Sequence, residues 1–161
     1  MSYLSPTLTL LVGAVKKATA SLDRDFNEIE KLQSSVRGYQ NFVSRSFERV
    51  AQTLKGELSR VRPDAVFVDG KPPLSRGCCF MVNPIDGMGN FVRGIPVFAT
   101  TVANCENGEV KASVVYNRAS DELYFAEKGS GAYKEGFRNH ERLRVSAVKD
   151  GAAALVAASI G

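Results

Sequence analysis

The chain has 161 residues, 44% of them hydrophobic and 24% charged, values that suit one folded domain and exclude a largely disordered chain. Lys and Arg number 21 against 17 Asp and Glu, a net charge of +4; with no basic run longer than Lys16-Lys17 and no Trp, a nucleic-acid surface is not expected. The longest N-terminal apolar run, Leu8 to Val15, is broken by Thr9 and Gly13 and has no basic segment before it, so neither a signal peptide nor a membrane span is expected.

Residues 7 to 62 read as helix. Pro6 suits a first helical turn, and Leu8, Leu11, Val12, Val15, Leu22, Phe26, Ile29 and Leu32 recur at three- and four-residue steps. Gly38 and Tyr39 interrupt this stripe, and a second helix is expected to carry Val43, Phe47, Val50, Leu54, Leu58 and Val61. Arg62-Pro63 ends it, because the residue before a proline disfavours helix.

Residues 63 to 161 read as strands and turns. Ala65 to Val68 and Cys78 to Val82 are short apolar runs. Val97 to Ala103 and Val110 to Tyr116 flank Glu106-Asn107-Gly108, a hairpin signal. Glu122 to Ala126 and Gly131 to Tyr133 read as a further hairpin about Gly129, and Gly129-Ser130-Gly131 as its turn rather than a phosphate loop. Leu143 to Val145 and Ala152 to Ala158 are late strand or short-helix candidates. The expected class is α+β, with N-terminal helices packed on a mainly antiparallel sheet in one domain, 1–161.

The three cysteines, adjacent Cys78 and Cys79 and separate Cys105, form no disulfide or zinc pattern, and His140 is the one histidine. An odd count without a framework points to a reducing, cytoplasmic setting. Cys78-Cys79 is read as buried strand in preference to a reactive thiol, and His140 as a surface-loop residue.

The segment that carries chemistry is Asn83-Pro84-Ile85-Asp86-Gly87-Met88-Gly89-Asn90, expected to leave a strand and enter a loop. Such a transition can aim side-chain oxygens and backbone N–H groups at one point, which suits a hard cation and a phosphate. The competing reading is a plain turn, since Asn-Pro and Asp-Gly are both turn dipeptides. Arg93 is either an anion contact or a solvated side chain.

With Phe91 added, this segment resembles the hallmark of the inositol monophosphatase family of magnesium-dependent sugar phosphatases, Asp-Pro-[Ile/Leu]-Asp-Gly-Thr-x-Asn-Phe. Gly94 to Ala99, Val114 to Asn117, Asp121 to Tyr124 and Ala126 to Ala132 fit the same pattern, as does Phe42-Val43-Ser44 upstream. The resemblance implies the fold of that family's N-terminal half, magnesium as the cofactor and an inositol or sugar phosphate as ligand. It implies Asp86, Asn83 and the Ile85 carbonyl at metal-ligand positions, Asp86 as the catalytic carboxylate, and the N–H groups of Gly87 and Met88 against phosphate.

The departures from the pattern carry the functional expectation. The bridging first Asp of the hallmark is Asn83, and the Thr that helps position water is Met88. The family's Gly-Glu-Glu triplet falls, ungapped, on Asp69-Gly70-Lys71, which removes a metal-binding Glu at Gly70; a local gap would instead recruit Asp69. A helical acid of the family falls at Phe47, which reads as core packing. Magnesium favours charged oxygens in a strict octahedron, and each lost unit charge at 4 Å forfeits about 4 kcal/mol at an effective dielectric of 20. The family's Trp-Asp-x-Ala-Ala-Gly motif is absent from this sequence, as expected either of a fragment of a longer protein or of a half-length relative. The expected function is therefore a catalytically impaired binding or regulatory scaffold, for which the family's bacterial extragenic suppressor branch is a precedent by analogy. The alternative is an active magnesium-dependent phosphomonoesterase. A sheet lacking the family's second half is also expected to self-associate as a homo-oligomer.

Overall fold

The computed structural model describes residues 4–32, 36–68, 77–136 and 140–156. Helix α1 (Pro6–Ala18) opens as its sequence dictates. Pro6 occupies the first turn, and the Ser5 hydroxyl accepts the Leu8 N–H at 3.1 Å. Its buried face comprises Leu8, Leu11, Val12, Ala14, Val15 and Ala18.

The expected single stripe from Leu8 to Leu32 is in fact two helices. The Val15 carbonyl accepts both the Thr19 N–H at 3.0 Å and the Thr19 hydroxyl at 2.8 Å, the last ladder bond of α1 with a side-chain bond beside it. The chain then restarts as α2 (Leu22–Leu32), whose first turn carries Asp23 and Asp25, where the helix dipole favours acids. The break expected at Gly38-Tyr39 does not occur, since both lie within the 26-residue helix α3 (Val36–Val61). A helical glycine costs about 1 kcal/mol, which the burial of Val43, Val50, Leu54 and Leu58 farther along α3 outweighs.

Among the described residues seven strands follow: β1 (Val66–Val68), β2 (Cys78–Asp86), β3 (Ala99–Glu106), β4 (Glu109–Asn117), β5 (Glu122–Glu127), β6 (Gly131–Glu135) and β7 (His140–Leu143). They lie side by side in sequence order; β1 and β2 are parallel and every other neighbouring pair is antiparallel. The expected hairpins are present. Asn107 and Gly108, both at positive φ (53° and 78°), make the two-residue turn that suits the twist of β3 and β4.

Two late elements differ from expectation. His140 begins β7 paired with Glu135, because a strand partner is available on β6. Val145 stands 97% exposed beyond β7, and the Ala152–Ala158 candidate is a 3-10 turn at Gly151–Ala153 followed by irregular chain to residue 156. Positions 157 and 158 lie outside the described residues.

Helices α1 and α3 pack on one face of the sheet, against β2, β3 and β4. Phe80, Val102, Val114, Tyr116, Leu123 and Phe125 fill the core between them. Among the described residues, no helix is long and apolar enough to cross a membrane.

Candidate functional site

The conspicuous segment begins inside a strand. β2 runs on to Asp86, and the chain turns away only at Gly87. Asn83 pairs with Thr101 and Asp86 with Ala99, with an irregularity in the ladder between them. Pro84 lies in that irregularity, where its lack of an N–H costs no ladder bond. Its carbonyl is taken by the Thr100 hydroxyl at 2.7 Å.

This irregularity has a chemical consequence. In a regular strand, residues three apart point to opposite faces. Here Ile85 is buried while Asn83 and Asp86 are exposed on the same side, and Asn83 Nδ2 donates to Asp86 Oδ1 at 3.3 Å. Two carboxylates at that spacing would repel and call for a cation. An amide facing a carboxylate satisfies it without one.

Gly87 is required by the backbone. Its φ is +76°, and a Cβ there would lie 2.9 Å from the Val97 carbonyl oxygen. The Gly87 carbonyl accepts from the N–H groups of Asn90 and Phe91 at 2.9 and 3.0 Å, closing the short helix α4 (Met88–Phe91). The Met88 side chain packs against the core, and Phe91 is fully buried. Asn90 Nδ2 donates to the Val97 carbonyl at 2.7 Å, pinning the far side of the loop. Arg93, open between anion contact and solvated side chain in the sequence, directs Nη1 onto the Gly89 carbonyl at 2.8 Å.

Several supports of this loop were not legible as such. Phe26 of α2 lies beneath it, with ring centroids 6.0 Å from Phe91 and 5.2 Å from Phe98, while Phe91 and Phe98 meet edge to face at 4.9 Å. α2 is held by Asp25, 1% exposed, which accepts from Ser46 at 2.9 Å and from Arg49 Nη1 at 2.7 Å, both on α3. The available signal was spacing: Asp25 falls on the same helical face as Leu22 and Ile29, where an acid must find a partner.

The donors in hand do not fit a two-ion magnesium centre. Asp86 is the one carboxylate in the 83–91 segment, and among the described residues no three His, Cys, Asp or Glu side chains converge as a metal site. Magnesium would find one charged oxygen donor there and one neutral amide already turned toward it by its nitrogen. Phe47 packs partly buried against the core, as expected. The Asp69-Gly70-Lys71 positions lie outside the described residues.

Similarity to known proteins follows the same residues. The model of the inositol monophosphatase family matches residues 3–161. An inositol-1-monophosphatase of Rhizobium meliloti is 41% identical over 149 residues, covering 90% of this chain and 54% of that protein. A Nus factor SuhB of Vibrio cholerae is 27% identical over the same length, covering 90% and 54%. Among solved structures, the extragenic suppressor protein suhB from Bartonella henselae superposes with a TM-score of 0.73 at 35% identity, covering 89% of this chain and 56% of that one. The chain thus spans about half the length of the relatives it matches. With its fold, its Pro-Ile-Asp-Gly strand end and the near-complete match, this chain belongs to the inositol monophosphatase family.

Proposed function

We propose that this chain is a catalytically impaired member of the family, keeping the phosphate-facing loop as part of a binding or regulatory scaffold. The observation that carries the reading is the Asn83–Asp86 contact. Where the hallmark has two carboxylates that a cation must hold together, this chain has an amide–carboxylate pair, with one negative charge in place of two, that holds itself. Asp86 and the Ile85 carbonyl remain at ligand positions, and Asn83 adds at most one neutral oxygen. The first-turn N–H groups of a helix lack intrahelical partners. Those of Gly87 and Met88 are the groups we assign to phosphate, with an inositol or sugar phosphate as the ligand class. The names Nus factor and extragenic suppressor among the relatives support a scaffold role. Three free, buried cysteines support a cytoplasmic setting. The chain acts as one domain, helical over 7–62 and sheet-rich over 63–161.

The test is phosphate release from inositol 1-phosphate with magnesium present, expected at background. Magnesium-dependent release that Asp86→Asn abolishes overturns the proposal. A paired experiment restores charge. Asn83→Asp combined with Gly70→Glu is expected to gain manganese binding by isothermal titration where the parent shows none. Tight binding by the parent would mean that the segment around Asp69 supplies the missing acid.

The second reading, an active phosphomonoesterase, is favoured by the 41% identity to an inositol-1-monophosphatase. It requires further ligands from the part of the relatives' length that this chain does not span.

A further inference from the structure

The three cysteines lie on two neighbouring strands but are not equivalent. Cys78 and Cys79 are consecutive on β2, so they project to opposite faces of the sheet. Cys78 Sγ lies 3.3 Å from Asn104 Oδ1, to which it donates. Cys79 faces Cys105 directly across the β2–β3 ladder. The Asn107 N–H donates to the Gly77 carbonyl at 2.9 Å, which sets the phase of that ladder. Cys79 and Cys105, two residues farther along each strand, therefore form a hydrogen-bonded pair with Cα atoms about 5.5 Å apart. That separation lies within the range of roughly 4.4–6.8 Å that a disulfide spans.

We propose that Cys79 and Cys105 form a reversible cross-strand disulfide when the folded protein meets a low-molecular-weight disulfide. Cys79 is 5% exposed and Cys105 fully buried, which assigns the order of events. The Cys79 thiol loses its proton, and the thiolate attacks one sulfur of the oxidant, releasing one thiol and leaving a mixed disulfide. Cys105, deprotonated in turn, attacks the Cys79 sulfur and expels the second thiol. Two protein thiols are oxidised and one small disulfide is reduced to two thiols.

Two physical features set the character of this switch. Burial, together with the neighbouring Cys79 sulfur, pushes the Cys105 thiol up to about 11, so thiolate is scarce at neutral pH and closure is slow, accelerating as pH rises. Facing Cβ atoms at a hydrogen-bonded pair are about 5.5 Å apart, whereas a disulfide holds them near 4 Å. The bond is therefore strained and easily reduced. Closure would clamp β2 to β3 four paired positions from Asn83 and Thr101, fixing the register of the strand that carries the candidate site.

The experiment incubates the full chain with oxidised glutathione under native conditions, blocks remaining thiols and maps peptides by mass. The expected product has lost two hydrogen atoms, carries a Cys79–Cys105 cross-link, keeps Cys78 free and reverts with dithiothreitol. Cys78→Ser should form the bond as well as the parent. Cys105→Ser should stop at a glutathione adduct on Cys79, and Cys79→Ser should form no cross-link. Three free thiols, an adduct without cross-link in the parent, a bridge through Cys78, or a bond that forms only after unfolding in urea would each overturn the proposal.

Discussion

The two faces of the sheet come from the same strands and live in different surroundings. Under α1 and α3, Val102 and Val114 are 1% and 0% exposed; on the opposite face, Val115 is 37% and Val66 61% exposed. There Val68, Met81, Thr101, Ala103, Ser113 and Val115 line an open hollow of about 420 Å³. An antiparallel sheet with one face in water ordinarily sets charged or polar residues against that water. The centre of this open face is neutral and largely apolar, with the composition of a surface meant to be covered. The candidate site touches both environments: Asn83 borders the hollow, while Phe26, Phe91 and Phe98 lie in or against the core.

The sharpest test uses two adjacent residues of β4. Val114→Asp places an unpaired charge in the core and should lose about 4 kcal/mol or more in urea unfolding, whereas Val115→Asp, compared with the parent at dilutions where both are monomeric, should stay within about 0.5 kcal/mol. Comparable losses would mean that the open face is packed after all, and the contrast would fail. Next in size is the clamp within the helical layer. Asp25→Asn should lower stability by about 2 kcal/mol, because hydrogen bonds to a charged group from Arg49 and Ser46 are weakened or lost. An unchanged midpoint would show that packing alone holds α2.

Self-association through the open face is the third expectation. Light scattering at micromolar concentration should report a species larger than the monomer, and Val115→Asp should weaken it at least tenfold, about 1.4 kcal/mol. A clean monomer for the parent would show that the neutral face needs no second copy. The smallest effect lies at the solvated edge near the β3–β4 turn. Glu109 is paired with Lys111 and Lys128, and these ammonium groups hold its carboxyl down at about 2. A depressed carboxylate stabilises the fold above its unfolded value of about 4.3 and loses that contribution as pH falls toward 2. Because the group is exposed, salt should erase most of the effect. A carboxyl titration by NMR showing a midpoint near 4.3 would remove the pairing.

Much of this architecture was legible, for local reasons. Ser5-Pro6 starts a helix through a side-chain cap and a preset φ. Asn107-Gly108 turns a hairpin because both residues tolerate positive φ. The helix boundaries differ from the sequence expectation because periodicity reports which face is buried and is blind to where the backbone ladder ends, as it does at Thr19, whose N–H and hydroxyl both fall on the Val15 carbonyl. The loop was found by its residues but placed a few positions early, since Asn-Pro reads as a turn and here continues β2 through an irregular ladder.

The sequence by itself determined the family, the α+β order of elements and the presence of Asn83 where the hallmark has Asp, because each is written in residue identity and short-range pattern. Only the tertiary structure decided that Asn83 turns its amide onto Asp86, that Phe26 supports the loop from another helix, and that Cys79 rather than Cys78 faces Cys105. Those facts depend on strand register and on contacts between residues tens of positions apart. Register is set by how the whole sheet buries one face against the helices, a sum over many side chains that no single stretch of sequence contains.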